Sequence, residues 1–254
     1  MFKLKYLGED HMKKFITYCT FISITGWLAP ASADTSINGT RIIYPADKRE
    51  ITFTINNNGK KASLVQSWVD EGNPKDTPDN TTAPFILTPP ISVISPEKSQ
   101  NIRVRYTAEK KLPEEKESLF WVNVLEIPQN IDAPNQLRIG LRTRIKFFFR
   151  PNNLTIKPEN ATEKLNWQVE KKNGKWVAII KNNSPYYITF SVINIKTKDI
   201  NSTVELAPQN SMLAPNSDTE YELKSSKSEL KQGINFSIIN DYGGQSSFTA
   251  NTGE

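Results

Sequence analysis

Four cations, Arg142, Arg144, Lys146 and Arg150, fall within nine residues in the segment LRIGLRTRIKFFFRP, Leu137 to Pro151. Guanidinium and ammonium groups at that density suit the binding of anions. Read by twos, the same segment sets Leu137, Ile139 and Leu141 on one side and Arg138 and Arg142 on the other, the period of a β-strand. A strand of this kind offers an apolar ladder beside positive charge, so it fits a ligand that is both apolar and anionic. Taken alone, the ladder also has the pattern of a half-buried core strand.

Other chemistries are excluded by what the chain lacks. Its single cysteine, Cys19, and single histidine, His11, both precede residue 34. Lys13 and Lys14 stand before the apolar run FITYCTFISITGWLAP, which ends at Ala31-Ser32-Ala33. That order of basic, apolar and small residues predicts a secretory signal peptide, residues 1–33, cleaved after Ala33. Met12 is an alternative start. The apolar run is short and interrupted for a membrane anchor, and no other segment reads as one, so no direct membrane insertion is expected. Removing residues 1–33 takes four of the 32 lysines and arginines and two of the 27 acids, leaving a net charge of +3. With no polybasic run, nucleic acid is not an expected partner. Without His or Cys the exported part has no Ser-His-Asp or Cys-His machinery, no usual zinc ligands and no disulfide. No enzyme activity, metal or cofactor is expected, and the 221 remaining residues must be held by packed cores.

The elements that would position these residues read as strands. ITFTI, LVQSWV, NIRVRY and SLFWVNVLEI are apolar or alternating runs separated by Pro, Asn and Gly turns. FILTPPISVISP carries three prolines, with Pro84 just before it, and reads as an edge or crossing segment. A second series follows Pro151: WQVEKK and KWVAII flank Asn173-Gly174, a type I′ hairpin signal, and Tyr187 to Ile195, TEYELK and INFSIINDY supply later strands. No amphipathic helix is evident. The pattern predicts an all-β fold, two immunoglobulin-like β-sandwich domains over residues 34–150 and 151–254, with the boundary in Pro151 to Pro158.

Six motifs then carry a resemblance: TRIIYP (from Thr40), FILTPP (from Phe85), ESLFWVNVLEIP (from Glu117), TRIKFFFRP (from Thr143), NNSPYYITF (from Asn182) and INDYGG (from Ile239). In this order they resemble the periplasmic pilus (fimbrial) chaperones of the chaperone–usher pathway, the PapD-like family, across nearly the whole exported chain. The resemblance implies a boomerang of two immunoglobulin-like domains with an interdomain cleft. It implies that Arg41 and Lys146 grip the C-terminal carboxylate of a pilus subunit, and that Leu137, Ile139 and Leu141 lie on a strand donated to a subunit lacking one. It makes Glu117, Arg150 and Asp241 an interdomain charge cluster. The partners it implies are pilus subunits and an outer-membrane usher, in the periplasm. An exposed apolar edge is itself a hazard, which makes a self-capping homodimer one form open to the free protein.

The short stretch between Gln129 and Gln136 resembles the short-loop (short F1–G1) branch of the family. A secreted structural or adhesive pilus subunit is the alternative, although neither a cysteine pair nor an N-terminal donor extension is visible; a carboxylate-based carbohydrate enzyme or lectin is a third reading. Three expectations are local. Lys146 stands an odd number of positions from Leu141, so a regular strand places them on opposite faces, and only a bulge or a bend near Thr143 would align them. Arg138, Arg142 and Arg144 are expected to be solvated, and Trp121 to be a core aromatic.

Overall fold

The computed structural model describes residues 35–127, 139–196, 201–223 and 233–250. Its first half contains β1 (Thr35–Ile37), β2 (Arg41–Pro45), β3 (Ile51–Asn57), β4 (Ser63–Asp70), β5 (Phe85–Thr88), β6 (Ile91–Ile94), β7 (Ser99–Tyr106), β8 (Ser118–Ile127) and β9 (Leu141–Arg150). They form two sheets, ordered β1-β3-β7-β5 and β2-β9-β8-β4-β6. Alternate residues face inward, so Ile55, Ile102, Val104, Val122, Val124, Phe147 and Phe149 make one core between the sheets. Rings of Tyr44, Phe85, Phe147 and Phe149 lock it, with centroids 4.8–6.1 Å apart. FILTPPISVISP does cross: β5 is the edge of one sheet and β6 the edge of the other, with a cis Thr88–Pro89 bond between them.

The second half contains β10 (Leu165–Lys172), β11 (Lys175–Asn182), β12 (Ile188–Lys196), β13 (Asn201–Thr203), β14 (Met212–Leu213), β15 (Ser217–Leu223), β16 (Ile234–Ile239) and β17 (Gln245–Ala250). The sheets are β10-β11-β15 and β13-β12-β16-β17, with β14 also pairing β12. Their facing sides bury Trp167, Ile180, Phe190, Ile193, Ile195 and Phe236 in a second core. The Asn173-Gly174 hairpin joins Lys172 to Lys175, and both turn residues have positive φ (52° and 82°), as a type I′ turn requires. A short helix interrupts the strand pattern that the sequence predicts. This 3₁₀ helix, Pro158–Lys164, follows the predicted boundary, with proline pre-set for its first turn.

Candidate functional site

The site is built on β9. This strand pairs antiparallel with β8 from Leu141↔Glu126 to Ser118↔Phe149 without a register shift. On its other side it pairs with β2, in parallel, only from Lys146 to Arg150. Residues Leu141 to Ile145 therefore have a partner strand on one side only among the described residues, an open edge five residues long. Parallel pairing sets Arg41, the first residue of β2, opposite Lys146. The two cations predicted as a pair thus stand side by side where the open edge ends.

Both are strongly desolvated. Arg41 lies over the Phe148 ring, 5.7 Å from its centroid, and its Nε is buried without a hydrogen-bond partner. Lys146 Nζ donates to Thr189 Oγ1 of β12 at 3.2 Å, which places the pair at the junction of the two sandwiches. Burial, helped by the neighbouring charge of Arg41, lowers the Lys146 pKa to about 8. Burial likewise pulls Arg41 down, offset in part by Asp241 and Glu117. An unmet buried donor costs about 1–3 kcal/mol. Two cations with unspent donors, held at one spot, are poised to accept an oxyanion.

Glu117, Arg150 and Asp241 are brought together beside this pair. Arg150 Nε donates to Glu117 Oε1 at 2.6 Å, while its two terminal nitrogens donate to both oxygens of Asp241 at 2.5 and 2.9 Å. Glu117 lies in the first half and Asp241 in the turn between β16 and β17, so Arg150 spans the junction. The second oxygen of Glu117 accepts the Tyr187 amide at 2.8 Å, and Tyr187 packs on Phe148. The Asp241 turn also rests on the first half elsewhere. Gly243 (φ +81°) is so close that a Cβ there would lie 2.6 Å from Thr40 Oγ1, next to Arg41.

Of the predicted ladder, Ile139 is 73% exposed and Leu141 42% exposed, beyond the packed part of the sheet. Leu137, Arg138 and the 129–136 loop lie outside the described residues. One open point is decided and two expectations are corrected. No bulge occurs at Thr143: Ile145, Phe147 and Phe149 face the core and Lys146 the opposite side, so Leu141 and Lys146 stay on opposite faces of a regular strand. Arg142 and Arg144 are not solvated; both reach the buried carboxylate of Asp70. Trp121 is not a core aromatic but lies on the outer face beneath Arg144, 4.2 Å from its guanidinium. The sequence reading also missed Thr189, which no local pattern marks. It missed Asp70 too, although alternation in β4 turns Trp68 and Asp70 away from the core residues Val65 and Val69.

Residues 34–155 match the family model described as the pili and flagellar-assembly chaperone, PapD N-terminal domain, and residues 160–250 match that of the pili assembly chaperone PapD, C-terminal domain. A probable fimbrial chaperone, YadV, of Escherichia coli K12 is 35% identical over 91% of this chain and 95% of its own length. The chaperone protein HifB of Haemophilus influenzae is 31% identical over 93% of this chain and 96% of its own. The crystal structure of YadV superposes with a TM-score of 0.73 at 33% identity, over 86% of this chain and all of that one. The Salmonella enterica SafA pilin–SafB chaperone complex gives 0.70 at 23% identity, over 88% of this chain and 98% of that one, a likeness of fold.

Proposed function

This chain belongs to the PapD-like family of pili assembly chaperones, and from that premise we propose that it holds a fimbrial subunit by lending it the open edge of β9. The observation that carries this reading is the pair Arg41–Lys146, desolvated and opposite one another at the end of that edge.

The direction of the guest follows from the geometry. A strand that continues the line of β2 alongside Leu141 to Ile145 meets Arg41 and Lys146 at its end. Two cations select a carboxylate over an amino terminus, so the guest's C-terminus lies there and the guest strand runs parallel to β9. The five-residue edge spans roughly 16 Å at strand rise. Main-chain hydrogen bonds complete the pairing while Leu141, Ile139 and Leu137 enter the guest's apolar groove. Each such side chain contributes about 1.5–3 kcal/mol before ordering costs. The ladder and the anchor use opposite faces of β9, so neither has to bend the strand to engage.

Several finer readings accompany this one. Residues 1–33 act as a cleaved export signal to the periplasm, and 34–150 and 151–254 are the two domains. Glu117, Arg150 and Asp241 hold the domains at their working angle. The partners are pilus subunits and the outer-membrane usher that receives them, through binding alone and without catalysis. A structural neighbour crystallised as a pilin–chaperone complex supports that class of partner. A second copy covers the open edge when no guest is present, since an unpaired edge is an aggregation hazard.

The test uses a synthetic peptide of about ten residues with alternating apolar side chains, matched to strand length, made with a free C-terminal carboxylate or a C-terminal amide. The carboxylate form should bind and Lys146→Ala should lose it, because removing one side of a desolvated charge pair costs about 2–5 kcal/mol. Equal binding of the two peptides, or full binding by Lys146→Ala, refutes the anchor.

A further inference from the structure

The face of β9 opposite the ladder carries a charge network that the family resemblance assigned no task. Asp70, at the end of β4, has a side chain that is 0% exposed. Its oxygens accept Arg144 NH2 at 2.5 Å, Arg144 Nε at 3.1 Å, Asn123 Nδ2 at 2.7 Å and the Gly72 amide at 2.7 Å. Arg142 reaches the same carboxylate at 3.5 Å, donates twice to Asn123 Oδ1 at 2.9 and 2.7 Å, and donates to the backbone carbonyl of Pro74 at 2.6 Å. The two guanidinium groups also cover Trp68 and Trp121, at 4.6 and 4.2 Å from the ring centroids. Burial by itself would raise the Asp70 pKa, but the bonds from Arg144, Asn123 and Gly72 hold it below the usual carboxylate range.

The location gives this network its meaning. Arg142 and Arg144 belong to the part of β9 that β2 does not reach, where β8 supplies the only ladder among the described residues. An edge segment without a second neighbour opens at low free-energy cost unless side chains hold it. Two arginines two positions apart, both fastened to one fixed carboxylate, also tie the strand to one register, because a slip by one residue would turn both to the core face. On the strand-donation reading above, we infer that Asp70 is a positioning residue for guest capture: it keeps residues 141–145 extended and in register before the guest arrives.

The consequence is a split between association and release. If only a fraction of the free molecules hold the segment in its binding form, apparent affinity falls by that fraction. Once bound, the guest strand itself holds the segment, so release is little changed. The experiment compares wild type, Asp70→Asn and Lys146→Ala by amide hydrogen exchange and by the binding kinetics of the free-carboxylate peptide. Asp70→Asn should leave residues 141–145 nearly unprotected against exchange and lower the association rate about tenfold, as when only about a tenth of the free molecules hold the segment extended, with dissociation and exchange in β3 and β7 near wild type. Lys146→Ala should instead lose the peptide while exchange at 141–145 stays unchanged.

Wild-type exchange at 141–145 in Asp70→Asn overturns the inference, as does an unchanged association rate or an equal loosening of β3 and β7. Should Asp70→Asn not fold, Arg142→Ala, which leaves Asp70 paired with Arg144, carries the same test with the same expected direction. Failure of the anchor reading alone would show differently: carboxylate and amide peptides would bind wild type alike, whereas the exchange result at 141–145 would still decide the role of Asp70.

Discussion

Replacing Lys146 by methionine should stabilise the free protein while removing its grip on a carboxylate. The Lys146 ammonium is desolvated at the junction, beside Arg41, and its pKa falls from 10.5 to about 8. At 1.36 kcal/mol per unit this is about 3 kcal/mol, reduced to about 2 kcal/mol of destabilisation at neutral pH by the solvent that still reaches the side chain. Methionine keeps the length of the side chain and removes the charge, while the lost bond to Thr189 offsets about 1 kcal/mol of this. A net gain of about 1 kcal/mol remains, or about 2–4 °C in Tm for a chain of this size. The pH dependence is the sharper part. Between about pH 8 and 10.5 the unfolded wild-type chain binds more protons than the folded one, so wild-type stability rises through that window. The advantage of Lys146→Met should therefore be full below pH 8, shrink across the window and give way above it to a deficit of about 1 kcal/mol from the lost Thr189 bond. Urea denaturation of both proteins from pH 6.5 to 10.5 measures the difference. A variant less stable than wild type at pH 7, or a difference independent of pH, would refute the account of Lys146 as a strained, guest-ready cation.

Leu141→Glu should leave stability within about 0.5 kcal/mol, since the side chain is 42% exposed, yet abolish guest capture in a periplasmic pull-down; retained capture would remove Leu141 from the ladder. Arg150→Ala leaves Glu117 buried at the junction with the Tyr187 amide as its remaining partner. It should cost about 3–5 kcal/mol by denaturant titration, and a loss under 1 kcal/mol would mean water replaces the pair. Gly243→Ala adds a Cβ in the left-handed region and 2.6 Å from Thr40 Oγ1, so a penalty on the order of 1–3 kcal/mol is expected. Gly244→Ala, which would meet only the Asn240 side chain at 3.5 Å, is the control and should cost less.

Much of the architecture was legible because its signals are local. Alternation in ITFTI and NIRVRY, and in the apolar SLFWVNVLEI, set strand and burial together, and Asn173-Gly174 announced its hairpin through the positive φ both residues adopt. β17 escaped notice because QSSFTA is an exposed edge with few apolar residues to reveal its period. The all-β class and the absence of His and Cys chemistry after residue 33 also needed no coordinates. Arg41, Lys146 and the charged trio could be named only through motif resemblance, since no period links residues so far apart in the chain.

What the tertiary structure alone decided is who faces whom. Side-chain parity along β9 is local and predicted opposite faces for Leu141 and Lys146; that no bulge intervenes depended on the regular ladder with β8. That Arg41 lies opposite Lys146 depended on the parallel pairing of β2, and that Arg142 and Arg144 are fastened rather than solvated depended on Asp70, more than seventy residues earlier. The physical reason is the same in each case. A strand's period determines which side a residue takes, while its partner is chosen by the pairing of strands distant in sequence, and electrostatic contacts between long side chains follow from that choice.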